Sequence, residues 1–208
     1  MNAKSTREQL IDTGLDLMHR SGFNATGLTE ILRAANVPKG SFYHFFGSKE
    51  EFAAATLERY VEQKARHSDA FLGDASVSPL KRLKRYFRDL VKIAGQQGPV
   101  PGCLLGRFSL EIAAESPQLR KRISASFENW QHRIAAVIEQ AVRQKELPAD
   151  TNPEALAGFV LNSWEGALLR SQADKTDAPL ETFVHCVFDE LLAKKSKSKA
   201  DRKAAATH

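Results

Sequence analysis

Two stretches of this 208-residue chain hold residues whose types and spacing suit chemistry. The first is Pro99-Val100-Pro101-Gly102-Cys103-Leu104-Leu105-Gly106-Arg107-Phe108-Ser109-Leu110-Glu111. Its Pro-x-Pro-Gly start sets a turn and puts Cys103 in the first turn of a helix. There the positive end of the helix dipole, with Arg107 one turn on, favours the reactive thiolate. A small thiol also packs well, so three uses stay open for Cys103: redox or electrophile sensor, wall of a non-covalent pocket, or plain core. Arg107 suits a carboxylate ligand. Phe108, Glu111, Trp130 and Trp164 are further candidates to surround an apolar ligand, with core packing the commoner use of large aromatics. The second stretch runs from Lys39 to Lys49 and has two lysines and no acid. Ser41, Tyr43 and His44 carry groups that hydrogen-bond phosphate oxygens, and Lys39 can reach a guanine edge or a phosphate. Gly40, without a side chain, lets backbone approach a phosphate closely.

Other chemistries find little support. Cys103 and Cys186 are too few for a disulfide framework and do not stand at zinc-ligand spacing with any of the six scattered histidines. No metal and no cofactor is expected. Catalysis by Cys103 as nucleophile would need a base and an oxyanion site. His132 is the one histidine that fits the same domain, and no motif supports it, so the chain does not read as an enzyme. Cys186, among Phe183, Val187 and Phe188, reads as buried and inert. The net charge of +5 is carried by the tail, where Lys194, Lys195, Lys197, Lys199, Arg202 and Lys203 face one acid, Asp201. The body is therefore near neutral, and the tail reads as disordered. With 42% hydrophobic residues, no membrane-length apolar run and no secretion-signal layout, the chain reads as a cytoplasmic globular protein.

The elements that must hold these residues are helical throughout. Ser5 with Glu8 forms a capping box, opening a helix with Leu10, Ile11, Leu15 and Met18 at helical spacing and ending before Ser21-Gly22. Short helices fit residues 28–35 and 39–45, separated by Asn36-Val37-Pro38. Ser48 with Glu51 makes a second capping box for a long helix from Lys49 to about Phe71. Ser78-Pro79, Ser116-Pro117, Asn152-Pro153 and Ala178-Pro179 then each set a cap-like residue before a helix-opening proline, alanine being the poor cap among them. With a helix from about Cys103, the spans are roughly 79–97, 103–115, 117–145, 153–173 and 179–193. About nine helices and no strand pattern make an all-α chain. Within residues 28–46, Ile31, Ala35, Val37 and Phe42 fill the inside of a helix-turn-helix, while Thr29, Arg33, Lys39, Ser41, Tyr43 and His44 face outward.

The run Val37-Pro38-Lys39-Gly40-Ser41-Phe42-Tyr43-His44-Phe45-Phe46-Gly47-Ser48-Lys49-Glu50-Glu51 closely resembles the signature of TetR-family regulators. Gly22-Phe23 and Thr26-Gly27-Leu28-Thr29-Glu30-Ile31 agree with it as well, so the resemblance covers about the first 55 residues. It implies that Lys39, Gly40, Ser41, Tyr43 and His44 touch DNA from the recognition helix, with Thr29 and Arg33 supporting and Lys49 gripping a phosphate. It also implies a division into a DNA-binding domain at 1–48, a ligand-sensing and dimerisation domain at 49–193, and the basic tail at 194–208. The Gly-Cys-Leu-Leu start is similar to that of the repressors of N-ethylmaleimide-type reductases and regulators of acrylate use. The expected partners are a double-stranded operator, a small-molecule inducer or reactive electrophile, and a second copy of the chain. The dimer face is expected on two helices, one with Leu156, Phe159, Val160, Trp164, Ala167 and Leu168 beside the small Gly158, Ser163 and Gly166. The other carries Leu180, Phe183, Val184, Val187, Phe188 and Leu191. Packing of both helices within one subunit is the alternative. For the whole chain, the alternatives to a released repressor are a helical interaction protein with a vestigial head and, last, a Cys103-dependent enzyme.

Overall fold

The computed structural model describes residues 5–96 and 102–193; the expected turn at Pro99-Val100-Pro101 and the tail from Lys194 lie outside them. Among the described residues there are nine α-helices and no strand, as the all-α reading requires. They are α1 Thr6–Ala25, α2 Leu28–Ala34, α3 Lys39–Phe45, α4 Lys49–Leu72, α5 Pro79–Gln96, α6 Leu104–Glu111, α7 Pro117–Arg143, α8 Pro153–Asp174 and α9 Ala178–Val184. A wide, π-type segment, His185–Leu191, continues α9. The described residues pack as two units, one within 1–65 and 101–127, the other within 66–100 and 128–208.

Helix starts follow local hydrogen-bond chemistry. Ser5 Oγ accepts the Glu8 amide at 3.3 Å and the Glu8 carboxylate accepts the Ser5 amide at 3.4 Å, satisfying two of the donors a helix start leaves over. Asn152 caps α8 through the Ala155 amide at 3.1 Å, and Ser116 caps α7 through Leu119 at 3.3 Å. The expected box at Ser48 is modified: Ser48 Oγ accepts from Glu51, but the Glu51 carboxylate reaches back to the Gly47 amide at 2.8 Å. Asn36 takes a left-handed φ of 52°, and the Asn36 and Val37 amides return to Arg33 and Leu32 carbonyls, so a Schellman turn ends α2.

Two expected spans and one expected cap need correction. Helix α6 is shorter than expected, because Ile112 leaves helical geometry and its carbonyl serves Glu115 and Ser116 in a turn ahead of Pro117. Asp177, not Ala178, precedes α9, its carbonyl accepting from Leu180 and Glu181. The last helix is not uniform, since its turns widen from His185 and Leu192 is buried where regular spacing from Val184 and Phe188 would bury Leu191.

The first unit closes over Leu10, Ile11, Leu15 and Met18 of α1, Ile31 and Leu32 of α2, and a ring cluster of Phe42, Phe46 and Phe52 with centroids 5.0–5.4 Å apart. Each ring contributes about 1.5–3 kcal/mol by leaving water. A Cβ at Gly14 would stand 2.2 Å from the Phe52 ring, so α1 and α4 meet at a distance only glycine permits. The second unit has its own cluster, Phe87 with Trp164, Phe183 and Phe188 at 5.1–5.7 Å. There Arg82 is buried, donating to the Leu72 carbonyl at 2.8 Å and to Gln140 at 2.5 Å, and so stops α4 with a cation at its negative end.

Candidate nucleic-acid interface and sensor site

Burial sorts the helix-turn-helix into two faces. Ile31, Ala35, Val37 and Phe42 are buried, while Thr29, Arg33, Lys39, Gly40, Tyr43 and His44 are exposed and Ser41 is partly so. Phe42, fully buried and edge-on to Tyr43 at 5.5 Å, fixes α3 to the core, leaving Tyr43 55% exposed beside it. A Cβ at Gly40 would meet no atom within 4 Å, so nothing in the fold demands glycine there. Arg33 and Lys39 have no ion-pair partner among the described residues. That leaves both cations to outside anions.

Lys49 is placed differently from the others. Its amine donates to the Phe23 carbonyl at 2.6 Å and lies 4.3 Å from the centre of the Phe23 ring. Burial lowers its pKa, and the Glu111 carboxylate works the other way. Lys49 thus ties the start of α4 to the end of α1 and has two N–H groups left.

Two residues that sequence reasoning missed support this head. Gln9 donates from its side chain to the Ala35 carbonyl at 2.8 Å, satisfying the end of α2. Arg7 lies 5.3 Å above the Phe46 ring, next to the end of α3. Neither carries a local sequence signal, because both partners are distant in the chain.

Cys103 is the N-cap of α6, with extended φ and ψ, and not a residue of its first turn. The cause is that its carbonyl opens the helix by accepting the Arg107 amide at 3.0 Å. The side chain is buried, with its sulfur 3.9 Å from the Tyr60 hydroxyl. The Lys64 ammonium lies 5.5 Å from the centre of the Tyr60 ring, its pKa lowered by burial against the opposing pull of Cys103. His19 Nε2 stands 2.8 Å from the Gly102 carbonyl, so that nitrogen carries the proton. Burial lowers the pKa of His19; the Gly102 bond opposes it, and Lys64 and Arg107 add to it. The sulfur therefore sits at the positive end of a helix among basic groups, a setting that suits an anion.

Of the remaining sensor candidates, Arg107, Phe108 and Glu111 belong to the first unit and Trp130 and Trp164 to the second. Glu111 accepts the Asn24 amide at 3.0 Å, and Arg107 stands 3.9 Å from the same carboxylate, its partner within the chain. Phe108 is fully buried and edge-on to Phe23 at 6.1 Å. Trp164 belongs to the ring cluster of the second unit. Trp130, on the second unit's part of α7, is partly buried, and its Nε1 has no hydrogen-bond partner among the described residues. His132 is 67% exposed and near Glu154. Cys186 is exposed, against expectation, because Val187 and Phe188 follow Phe183 and Val184 by four residues on the buried side and Cys186 falls on the other. No group of His, Cys, Asp and Glu among the described residues could hold a metal ion.

Residues 10–56 match the family model "Bacterial regulatory proteins, tetR family", and residues 79–187 match "Tetracyclin repressor-like, C-terminal domain". The HTH-type transcriptional repressor DhaR of Mycobacterium sp. strain GP1 is 34% identical over 89% of this chain and 92% of its own. The transcriptional regulator AcuR of Cereibacter sphaeroides is 37% identical over 88% of this chain and 83% of its own. The crystal structure of the reduced form of Escherichia coli NemR is 30% identical with a TM-score of 0.82, covering 88% of this chain and 95% of that one.

Proposed function

The chain belongs to the TetR family of bacterial regulatory proteins, and from that premise we propose a repressor that grips a palindromic operator as a homodimer and releases it when a small molecule binds or Cys103 is modified. It is a DNA-binding transcriptional regulator and not an enzyme. The observation that carries the reading is the outward display on α3 of Lys39, Gly40, Ser41, Tyr43 and His44 around the buried anchor Phe42. In this reading Tyr43, His44 and Ser41 bond phosphates, Lys39 reaches a base or phosphate, and Thr29 and Arg33 approach from α2. Lys49 offers a phosphate the N–H groups that Phe23 does not use, and residues 1–48 form the DNA-binding part.

One head makes few contacts, so a second copy is needed to read the other half-site. Phe159, Leu169 and Leu191 are large apolar side chains exposed in the second unit, and a Cβ at Gly166 would meet nothing within 4 Å. Phe159, Gly166 and Leu169 recur on one side of α8. This supports a dimer face there, residues 49–193 being the sensing and dimerising part. Val160, Trp164, Phe183 and Phe188 pack inside the subunit instead. No described helix is long and apolar enough to cross a membrane, and a cytoplasmic site of action is part of the proposal.

Selection from random duplex DNA tests the head: a palindromic site should emerge that Tyr43→Ala binds far more weakly. Recovery of no sequence, or equal binding by Tyr43→Ala, overturns it. For the sensor, the setting of Cys103 and the relative described as a reduced form both support a responsive thiol. Because Cys186 is exposed, the test uses Cys186→Ser, limiting N-ethylmaleimide or hypochlorite, and mass spectrometry. Operator release with Cys103 unmodified rules out thiol sensing and leaves the non-covalent inducer.

A further inference from the structure

Glu111 was a ligand candidate by sequence, yet its carboxylate is spent on the entrance to the helix-turn-helix. Gly22 breaks α1 with φ 88° and ψ 173°, a region open essentially to glycine alone. A Cβ at Gly22 would stand 2.0 Å from Glu111 Oε1, so the carboxylate fills the space a side chain would take. Glu111 Oε2 accepts the Asn24 amide at 3.0 Å, and the Asn24 side-chain amide donates to the Glu111 carbonyl at 3.4 Å. The neighbours reinforce the same corner. Phe108, one turn earlier on α6, packs on Phe23, whose carbonyl takes Lys49; Thr26 donates to the Gly22 carbonyl at 2.6 Å and is fully buried. The other end of α6 also rests on α1, through His19 and Gly102. Eight residues of helix, about 12 Å at 1.5 Å per residue, thus join the Cys103 cap to the corner where α1 hands over to α2.

We propose that Glu111 is a positioning residue for DNA binding: it clasps α6 to the Gly22–Asn24 corner, so that a change at the Cys103 end of α6 reaches the helix-turn-helix through this carboxylate. The second half rests on the thiol-sensing reading above; the first does not. A charge-assisted bond to a main-chain amide is short and directional, so a shift of α6 by an ångström or two either breaks it or carries Asn24 along.

The test compares the full chain with Glu111→Ala and Glu111→Gln in a Cys186→Ser background. It reads operator affinity by fluorescence anisotropy, residue-resolved amide exchange at Asn24–Thr26, and thermal unfolding. Glu111→Ala should weaken operator binding about tenfold and speed corner exchange by a similar factor. Glu111→Gln, which keeps an acceptor oxygen and the same shape, should recover most of both. A merely structural role would lower the unfolding temperature without selective exchange at the corner. If Glu111→Ala folds poorly, Glu111→Gln against wild type decides: wild-type-like corner exchange supports the clasp, and fast corner exchange in a well-folded Glu111→Gln overturns it. Unchanged corner exchange in Glu111→Ala overturns the proposal even if no operator is found, because that readout needs no DNA. Alkylation by N-ethylmaleimide should alter corner exchange in wild type and not in Glu111→Ala. Operator release on alkylation with an unmoved corner refutes the link from Cys103 through Glu111 and leaves the sensor reading standing; neither change occurring refutes both that link and the sensor.

Discussion

Lys49→Ala separates two uses of one amine. In the fold it makes a 2.6 Å hydrogen bond to the Phe23 carbonyl and lies 4.3 Å from the Phe23 ring centre. A hydrogen bond to a charged donor nets about 1.5–3 kcal/mol, and the ring contact at a partly wet site adds about 0.5–1. Desolvation, the larger influence on this amine's lowered pKa, opposes both. The balance is a loss of about 2 kcal/mol, which for a chain of this size lowers Tm by about 4–8 °C. If the spare N–H groups also meet a phosphate, the slope of log affinity against log salt falls by about 0.9 for each contact removed. Thermal unfolding followed by circular dichroism reads the first effect, and operator titrations from low to physiological salt read the second. Lys39→Ala is the control, since its exposed amine should change the slope equally and move stability by less than about 0.5 kcal/mol. A Tm for Lys49→Ala within a degree or so of wild type refutes the tether, on the scale of about 2–4 °C per kcal/mol. A weakened complex with an unchanged salt slope refutes the phosphate contact.

Tyr43→Ala should remove one phosphate hydrogen bond per head, twice in a dimer, and weaken operator binding about 30–150-fold with Tm unchanged; normal gel-shift affinity would count against it. Arg82→Ala should cost about 2–4 kcal/mol in denaturant unfolding, because the buried guanidinium holds the Leu72 carbonyl and Gln140, and a loss under 1 would contradict that role. His19 has its folded pKa below the ordinary 6.5, so the unfolded chain binds the extra proton first as pH falls. Its contribution is fully present above pH 6.5 and is lost as pH drops below that value toward the folded pKa; His19→Gln should flatten this limb of the stability curve. Phe159→Asp places like charges across the proposed dimer face and should loosen the dimer at least about 100-fold by sedimentation, with the subunit still helical.

What was legible in the sequence, and what was not, divides by chain distance. The bounds of α3 and the caps at Ser5, Ser116 and Asn152 were readable because donor and acceptor lie within three residues, so the pattern contains both partners. The interior of the helix-turn-helix was readable for a similar reason, apolar positions repeating with the helix itself. Lys49 and Glu111 were visible as charged residues of the right kind, but their partners Phe23 and Asn24 lie 26 and 87 positions away. The sequence shows such a charge without its partner, so the contact within the fold is invisible there and only an outside ligand comes to mind. Cys186 failed differently: its apolar neighbours implied burial, but Phe183 and Val187, like Val184 and Phe188, are four apart and bury one side, and the same spacing sets Cys186 on the other. Arg33, Lys39 and Tyr43 are the instructive contrast, since the fold leaves their side chains exposed and gives the two cations no ion pair among the described residues. Side chains that folding has not engaged are the ones a DNA backbone can recruit at no cost to the core, and this is why residue type alone points to a recognition surface there, whereas the sensor candidates must be read together with the contacts the fold gives them.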